Sequence, residues 1–180
     1  MLSNDTIASS FAGGAVLQGW LSLFNYHGCH APVAGTVIQV LQIPRTYFVA
    51  DPANGFEKVD SVNRPYPDRH APDAPQKLII SIATRTISVL SAGDAWLSLV
   101  GFIAIGMSDV SSCVATVKVR DCVSKGQEMG SFHCGGSSYY LLFQPGVSLC
   151  FSPLVDVCLD SQSIITGRCI AINSELARVT

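Results

Sequence analysis

Short apolar segments that glycine and proline interrupt are the feature that most restricts how this chain can fold. Residues 36–43 are apolar and rich in β-branched side chains, and they lie between Gly35 and Pro44. A segment of this length is typical of a strand, since β-branched side chains pack well on a pleated sheet and helices are usually longer. Proline cannot donate a backbone hydrogen bond to a sheet, so it ends the strand. Residues 36–43 are therefore predicted to form a strand.

Segments of the same kind recur along the chain, and helical periodicity is scarce. The other predicted strands are residues 15–24, 78–90, 96–107, 113–119, 139–143, 147–159 and 164–172. Residues 25–32 and 120–126 are predicted as turns, residues 51–76 as a long surface loop that can act as a lid, and residues 173–180 as a fraying end. The pattern predicts one mainly β domain over residues 1–180, with a sandwich or barrel-like core.

Charge and composition narrow the range of partners. Apolar residues make up 48% of the chain and charged residues 13%, which is typical of a compact globular domain rather than a disordered one. The formal net charge is -2, and Lys and Arg form no run. Because a nucleic-acid surface needs a basic patch, no nucleic-acid partner is expected.

The cysteines and the first residues bear on the compartment. The seven cysteines are odd in number and include no Cys-x-x-Cys pair, which predicts free and mostly buried thiols in a reducing compartment. Asp5 stands where a signal peptide carries basic residues. The apolar stretches 7–24 and 86–107 are interrupted by polar residues, so neither is predicted to span a membrane. A cytoplasmic or peripheral membrane protein is expected.

The segment Gly135-Gly136-Ser137-Ser138 can carry covalent chemistry. Glycine leaves its carbonyl open to approach, and a serine hydroxyl can attack that carbonyl when a base takes its proton. Attack of Ser137 on Gly136 would form an ester, and elimination and hydrolysis would then leave chains 1–136 and 137–180, the second capped by a pyruvoyl group. The ketone of that group can form a Schiff base with a substrate amine and accept the electrons released with carbon dioxide. The same tetrapeptide is also typical of a flexible loop.

A second candidate segment is Tyr-His-Gly-Cys-His-Ala-Pro at residues 26–32. Histidine can act as a base near neutral pH, so His27 and His30 are candidate catalytic residues. Two alternatives stay open. His27, Cys29 and His30 can be half of a metal site that His133 and Cys134 would complete. The segment can also be a structural turn with exposed imidazoles.

Together these segments resemble the phosphatidylserine decarboxylase family, over about residues 11–143. The family carries Tyr-His-x-x-His-x-Pro, which residues 26–32 match, with Gly35 following. It also carries Lys-Gly-(acidic or amide)-Glu-x-Gly-x-Phe, which residues 125–132 match, and this leads to a Gly-Ser segment like that at 135–138. Residues 102–113 resemble the fungal branch, which includes decarboxylases of free aromatic amino acids such as tryptophan.

The resemblance implies a role for each matched residue. Ser137 matches the serine that becomes the pyruvoyl cofactor, and Gly136 matches the residue whose peptide bond breaks. His30 matches the base of self-processing, and His27 matches the histidine near the decarboxylating substrate. The fold is expected to be mainly β, with the two product chains staying associated. The expected reaction removes carbon dioxide from phosphatidylserine to give phosphatidylethanolamine, with peripheral membrane contact. A free aromatic amino acid is the alternative substrate.

The chain also departs from the family pattern. Members have an Asp well upstream that pairs with the processing histidine, whereas Asp5 is the only acidic residue before His30. A carboxylate fixes the tautomer of such a base, so a truncated chain or an inactive paralogue is one alternative. Another is a biotinyl or lipoyl carrier, because residues 30–37 and 119–130 resemble such domains. The neighbours of Lys118 and Lys125 are not those of a carrier lysine.

Overall fold

The computed structural model describes residues 5–21, 26–45, 58–59, 62, 65–66, 82–94, 96–106, 112–133, 137–152 and 170–180. The elements in these ranges are mostly strands. They are α1 (Asp5–Ser9), β1 (Val16–Leu21), β2 (Gly28–His30), β3 (Gly35–Ile43), β4 (Lys58–Val59), β5 (Pro65–Tyr66), β6 (Arg85–Ala92), β7 (Leu99–Gly106), β8 (Ser112–Ala115), β9 (Cys122–Val123), β10 (Glu128–His133), β11 (Ser137–Phe143), β12 (Leu149–Phe151) and β13 (Ala177–Val179).

Six strands form an antiparallel sheet in the order β1-β11-β7-β6-β3-β9. Strand β11 lies between β1 and β7, so a late segment of the chain occupies the interior of the sheet. Strands β6 and β7 are buried almost throughout. Successive side chains of a strand point to opposite faces, so continuous burial means that both faces of this sheet are covered.

One face is covered by a second sheet, β2-β10-β8. Between the two sheets lies an apolar cluster to which the large sheet contributes Leu90 and Phe102 and the small sheet contributes Cys113, Met129 and Phe132. The other face of the large sheet carries a separate cluster made by Ile87, Val89, Ile103, Ile105 and Tyr140, with Phe11 after α1 packed on it. The large sheet therefore separates two cores.

The prediction of a mainly β fold is confirmed. Strands β1, β3, β7 and β11 lie within or close to the predicted segments, and β6 begins later than predicted, at Arg85. Residues 78–81 lie outside the described residues. These strands were predictable because their segments are short, apolar and bounded by turn residues, a pattern that favours strands.

Several local predictions were wrong. Residues 25–32 and 120–126, predicted as turns, contain β2 and β9. Residues 173–180, predicted to fray, contain β13, which pairs with β12. These strands are short and polar, and their backbone hydrogen bonds to a distant partner decide their conformation. Residues 170–172, predicted as strand, are not strand, and of residues 147–159 only β12 is strand in the described part.

The remaining expectations fall partly outside the described residues. Of the predicted loop 51–76, β4 and β5 are described, and they pair with each other. Cys29 and Cys113 are buried free thiols, whereas the free thiols of Cys122 and Cys150 are exposed. Of these four cysteines, half are therefore buried, whereas most were predicted to be. Cys134, Cys158 and Cys169 lie outside the described residues. In the described ranges, no helix is long and apolar enough to cross a membrane.

Candidate active site

Ser137 is the first residue of β11 and is fully buried. Its backbone lies in register with Leu21 of β1 on one side and Gly106 of β7 on the other. In the described part of the chain, its Oγ has no hydrogen-bond partner, and the same is true of Ser138 Oγ. A buried hydroxyl without a partner is costly, and a strained or catalytic site is one of the explanations for such a group.

Strand alternation places the two serine side chains on opposite faces. Tyr139 and Leu141 pack in the cluster between the two sheets, so Ser137 shares that face with them. Tyr140 packs in the other cluster, and Ser138 shares its face. Of the two hydroxyls, the Ser137 hydroxyl is therefore the one on the face that the small sheet covers. Gly136 lies outside the described residues.

His27 lies next to the strand that leads to Ser137. Its backbone carbonyl accepts a hydrogen bond of 2.9 Å from the Phe132 N–H of β10. The His27 side chain is half-buried, and its Nε2 is buried without a partner among the described residues. Strand β10 ends at His133, and residues 134–136, outside the described residues, join it to Ser137. The structure thus holds an unpartnered imidazole nitrogen beside the end of β10.

His30 is held at both ring nitrogens. Its Nδ1 lies 2.7 Å from the carbonyl oxygen of Gly126. A carbonyl only accepts, so Nδ1 carries the hydrogen, and the neutral ring accepts at Nε2 from the Tyr26 hydroxyl, 3.0 Å away. The two rings also stack, with centroids 5.6 Å apart at 30°. Because Ser137 Oγ has no partner, neither predicted histidine is hydrogen-bonded to it in this structure.

A cleft of about 1420 Å³ reaches His30, but the described residues that line it do not include Ser137 or His27. His30 and Tyr26 line it, together with apolar and aromatic side chains from both sheets and from the paired strands β12 and β13. The part contributed by β1, β7 and β11 consists of Leu17, Leu21, Phe102, Tyr139, Leu141 and Phe143. Cys29 also lines the cleft. Burial is the main cause that raises the pKa of its thiol to about 12, and the nearby Cys113 and Glu128 raise it further. This thiol is therefore not a ready nucleophile.

The alternative of a metal site finds no complete ligand set in the described residues. Among them, His, Cys, Asp and Glu side chains form no group of three or more that could hold a metal ion. Cys134, which the hypothesis needs, lies outside the described residues. The Nδ1 of His30, a potential ligand atom, already donates to Gly126.

Comparison with known proteins connects this geometry to a family. The phosphatidylserine decarboxylase family model matches residues 1–166, which is most of the chain. The chain belongs to this family. As a member, it shares with the family the segments that hold Ser137, His27 and His30, all of which lie inside the matched region.

Several similar proteins are named as decarboxylases. Decarboxylase iboD of Amanita muscaria is 35% identical over 180 residues, which cover 99% of this chain and 49% of that protein. L-tryptophan decarboxylase of Psilocybe cubensis is 35% identical over 78% of this chain and 31% of its own length. Phosphatidylserine decarboxylase proenzyme 2 of Oryza sativa subsp. japonica is 26% identical over 80% of this chain and 20% of its own length. The chain thus spans about half or less of the length of these relatives.

The sequence did not indicate every residue that shapes the candidate site of this chain. Tyr139 and Gly19 face each other across β11 and β1, and a Cβ on Gly19 would overlap the Tyr139 ring. No local signal indicates this pairing, because it depends on the register of two strands far apart in the sequence. Tyr26 was part of a recognised motif, but its hydrogen bond to His30 was not predicted.

Proposed function

We propose that this chain is a pyruvoyl-dependent amino-acid decarboxylase whose cofactor forms from Ser137 by self-cleavage at the Gly136–Ser137 bond. The observation that carries the proposal is the buried, unpartnered Ser137 Oγ at the start of a strand held on both sides. Family membership supports it, since family members are generally pyruvoyl-dependent.

The proposed cleavage balances in three steps. Ser137 Oγ attacks the Gly136 carbonyl carbon, the C–N bond breaks, and the hydroxyl proton passes through a base to the freed amine. A base then removes the Cα proton of residue 137, the Cβ–Oγ bond breaks, and the Gly136 carboxylate leaves with the electron pair. The resulting dehydroalanine takes up water and releases ammonia, leaving a pyruvoyl group on chain 137–180.

The surroundings of Ser137 fit such a group. Residue 137 is pinned by β1 and β7, so the new chain end would stay in the sheet after the bond breaks. Leu21, in register with Ser137, and Tyr139, on the same face of β11, line the cleft. When present, a pyruvoyl group supplies an electrophilic carbonyl that accepts the electrons released by a departing carboxylate.

The two histidines are assigned different tasks in this proposal. His30 acts as the base of self-cleavage, with its tautomer fixed by the Gly126 carbonyl. His27, with a buried and unpartnered Nε2, acts on the substrate. Both assignments follow the family resemblance. The hydrogen bond to Gly126 supports the first, because it places the hydrogen on Nδ1 and leaves the lone pair on Nε2, where the Tyr26 hydroxyl now donates.

For the substrate, a free aromatic amino acid is proposed ahead of phosphatidylserine, which the sequence alone had favoured. The identity to L-tryptophan decarboxylase is 35%, against 26% to a named phosphatidylserine decarboxylase. The apolar and aromatic part of the cleft that β1, β7 and β11 contribute supports the same order, because a charged phosphodiester is costly to bury there without partners. Phosphatidylserine, with peripheral membrane contact, is the second candidate. In either case the two product chains are proposed to stay associated through β11.

Mass spectrometry of the purified full chain tests the proposal. We expect two fragments, 1–136 and 137–180, with the second lighter by one ammonia than a simple hydrolytic product. Ser137→Ala should give one intact chain. Ser138→Ala is the matched control, because it removes the neighbouring hydroxyl on the opposite face, and it should still cleave.

The other outcomes identify the alternatives. An intact wild-type chain would overturn self-cleavage and favour an inactive paralogue. An added mass on Lys118 or Lys125 would favour a carrier. Carbon dioxide release from L-tryptophan and from phosphatidylserine vesicles then ranks the two substrates, and release from neither by a cleaved chain would contradict both.

A further inference from the structure

We propose that Tyr139, whose ring lies over Gly19 and nearly parallel to that of Phe102, forms the surface on which the substrate's planar side chain packs. The inference rests on the proposed function and deepens it by assigning residues to substrate selection. It begins from the position of Tyr139, two residues after Ser137 on the same face of β11. Since a strand rises about 3.4 Å per residue, the two side chains leave the backbone about 7 Å apart.

Gly19 gives the Tyr139 ring its place. The two residues are in register, and a Cβ on Gly19 would overlap the Tyr139 ring and its hydroxyl. The ring therefore lies across the β1 backbone, in space that any other residue at position 19 would fill. Gly19 acts here as a positioning residue, through Tyr139.

Phe102 extends the aromatic surface toward β7. Its ring centroid lies 5.9 Å from that of Tyr139, and the two planes differ by 16°. Both rings line the cleft. Burial raises the pKa of the Tyr139 hydroxyl, and Cys29 adds to the effect, so this hydroxyl lies in an apolar environment. Two nearly parallel rings in an apolar wall favour stacking with a third planar group.

The distribution of charge in the cleft favours an aromatic side chain over a lipid head group at this wall. The charged residues that line the cleft are Asp94, Lys125, Glu175 and Arg178, which lie on loops and on β13. The lining from β1, β7 and β11 carries no charge in the described residues. A phosphodiester next to Ser137 would face this uncharged wall, which offers it no charged partner.

Binding to the uncleaved chain provides a test that does not depend on the cofactor. L-tryptophan is titrated into the Ser137→Ala full chain by calorimetry, alone and combined with Tyr139→Leu, Tyr139→Phe or Gly19→Ala. Loss of an aromatic contact weakens binding about three- to tenfold, so we expect this for Tyr139→Leu and Gly19→Ala. Tyr139→Phe keeps the ring and should restore most of the affinity. Val16→Ala, at an exposed position on the same strand as Gly19, serves as the folding and binding control.

Kinetics of the cleaved enzyme give the second measurement. Tyr139→Leu should raise KM for L-tryptophan with little change in kcat, and should reduce the preference for L-tryptophan over L-leucine by the same factor. Circular dichroism identifies any variant that does not fold. If Gly19→Ala does not fold, the comparison of Tyr139→Leu with Tyr139→Phe tests the proposal.

Each result decides the proposal. Equal affinity of the Tyr139→Leu and Tyr139→Phe chains, or no binding of L-tryptophan to Ser137→Ala, overturns the aromatic surface even if the wild type cleaves and decarboxylates. Failure of the wild type to cleave at Ser137 overturns the proposed function, but leaves the calorimetric comparison able to support the surface.

Discussion

The Tyr26 hydroxyl donates a hydrogen bond of 3.0 Å to Nε2 of His30, the nitrogen whose lone pair is needed for His30 to act as a base. Gly126 holds the opposite nitrogen, at 2.7 Å, so the ring has one tautomer and one orientation. Gly28 contributes as well, because a Cβ at that position would overlap the Tyr26 ring. In the proposed role of His30 as the base of self-cleavage, the ring is oriented but Nε2 is occupied, so the Tyr26 hydroxyl must leave before Nε2 can accept the Ser137 proton.

Tyr26→Phe is therefore expected to speed self-cleavage. The change removes the hydroxyl and keeps the ring, so the hydrogen bond that competes for Nε2 is lost. A hydrogen bond contributes about 0.5–1.5 kcal/mol net, which corresponds to roughly a two- to tenfold increase in the rate at which fragment 137–180 appears. Tyr140→Phe, which removes a hydroxyl on the other face of β11, is the matched control. An unchanged or slower rate would show that Tyr26 does not cap a base.

Much of this architecture could be predicted from the sequence, and the reason lies in particular strands. Strand β7 is apolar and buried almost throughout, whereas β3 is apolar and β-branched although most of its residues are only half-buried, and in both cases the composition itself favours a strand. Strands β2 and β13 have no such composition, and only their pairing with β10 and β12 makes them strands. Local sequence carries no information about that pairing.

The candidate site divides in the same way. Ser137, His27 and His30 could be predicted because their residue types and spacing carry the chemistry. The roles of Tyr26 and Gly19 could not, since each depends on a contact with a ring that only the folded backbone brings close. The motifs thus indicated the candidate reacting groups, whereas the contacts that orient them required the structure.

The buried thiols are expected to resist alkylation. Burial raises the pKa of both Cys29 and Cys113 to about 12, so few thiolates form at pH 8. Iodoacetamide should modify these two residues more than about tenfold more slowly than the exposed Cys122 and Cys150. Peptide mapping after timed labelling of the native chain measures each site, and labelling in denaturant is the control. Equal native rates would show that the two thiols are open to solvent.

The same pKa shifts predict a loss of stability at high pH. The pKa of each thiol is higher in the folded chain, about 12, than the ordinary 9.0, so the unfolded chain binds fewer protons above pH 9. The free energy of unfolding should then fall as the pH rises from 9 to 12, by at most about 1.4 kcal/mol per pH unit for each thiol. Urea unfolding across this range measures the slope. Cys113→Ala should reduce it, and Cys122→Ala, at an exposed site, should not; equal slopes would contradict the assignment.

Gly130→Ala is expected to weaken the small sheet that covers Ser137. Gly130 is the second glycine of the segment 125–132, and β8 approaches it so closely that a Cβ would overlap the Val114 carbonyl oxygen. Backbone on both sides prevents simple relaxation, so the change should cost about 1–3 kcal/mol in the free energy of unfolding. Urea unfolding measures it.

Gly93→Ala is the control for this prediction, because a Cβ at Gly93 meets nothing within 4 Å, and its effect should stay within about 0.5 kcal/mol. The Gly130 change should also reach the site. Two residues further along β10, the Phe132 N–H donates a hydrogen bond to the His27 carbonyl. A shift of β10 therefore disturbs the contact that holds His27 beside this strand. Self-cleavage of Gly130→Ala should therefore slow even under conditions where the chain is fully folded. A folded variant that cleaves at the wild-type rate would mean that the register of β10 does not position the site.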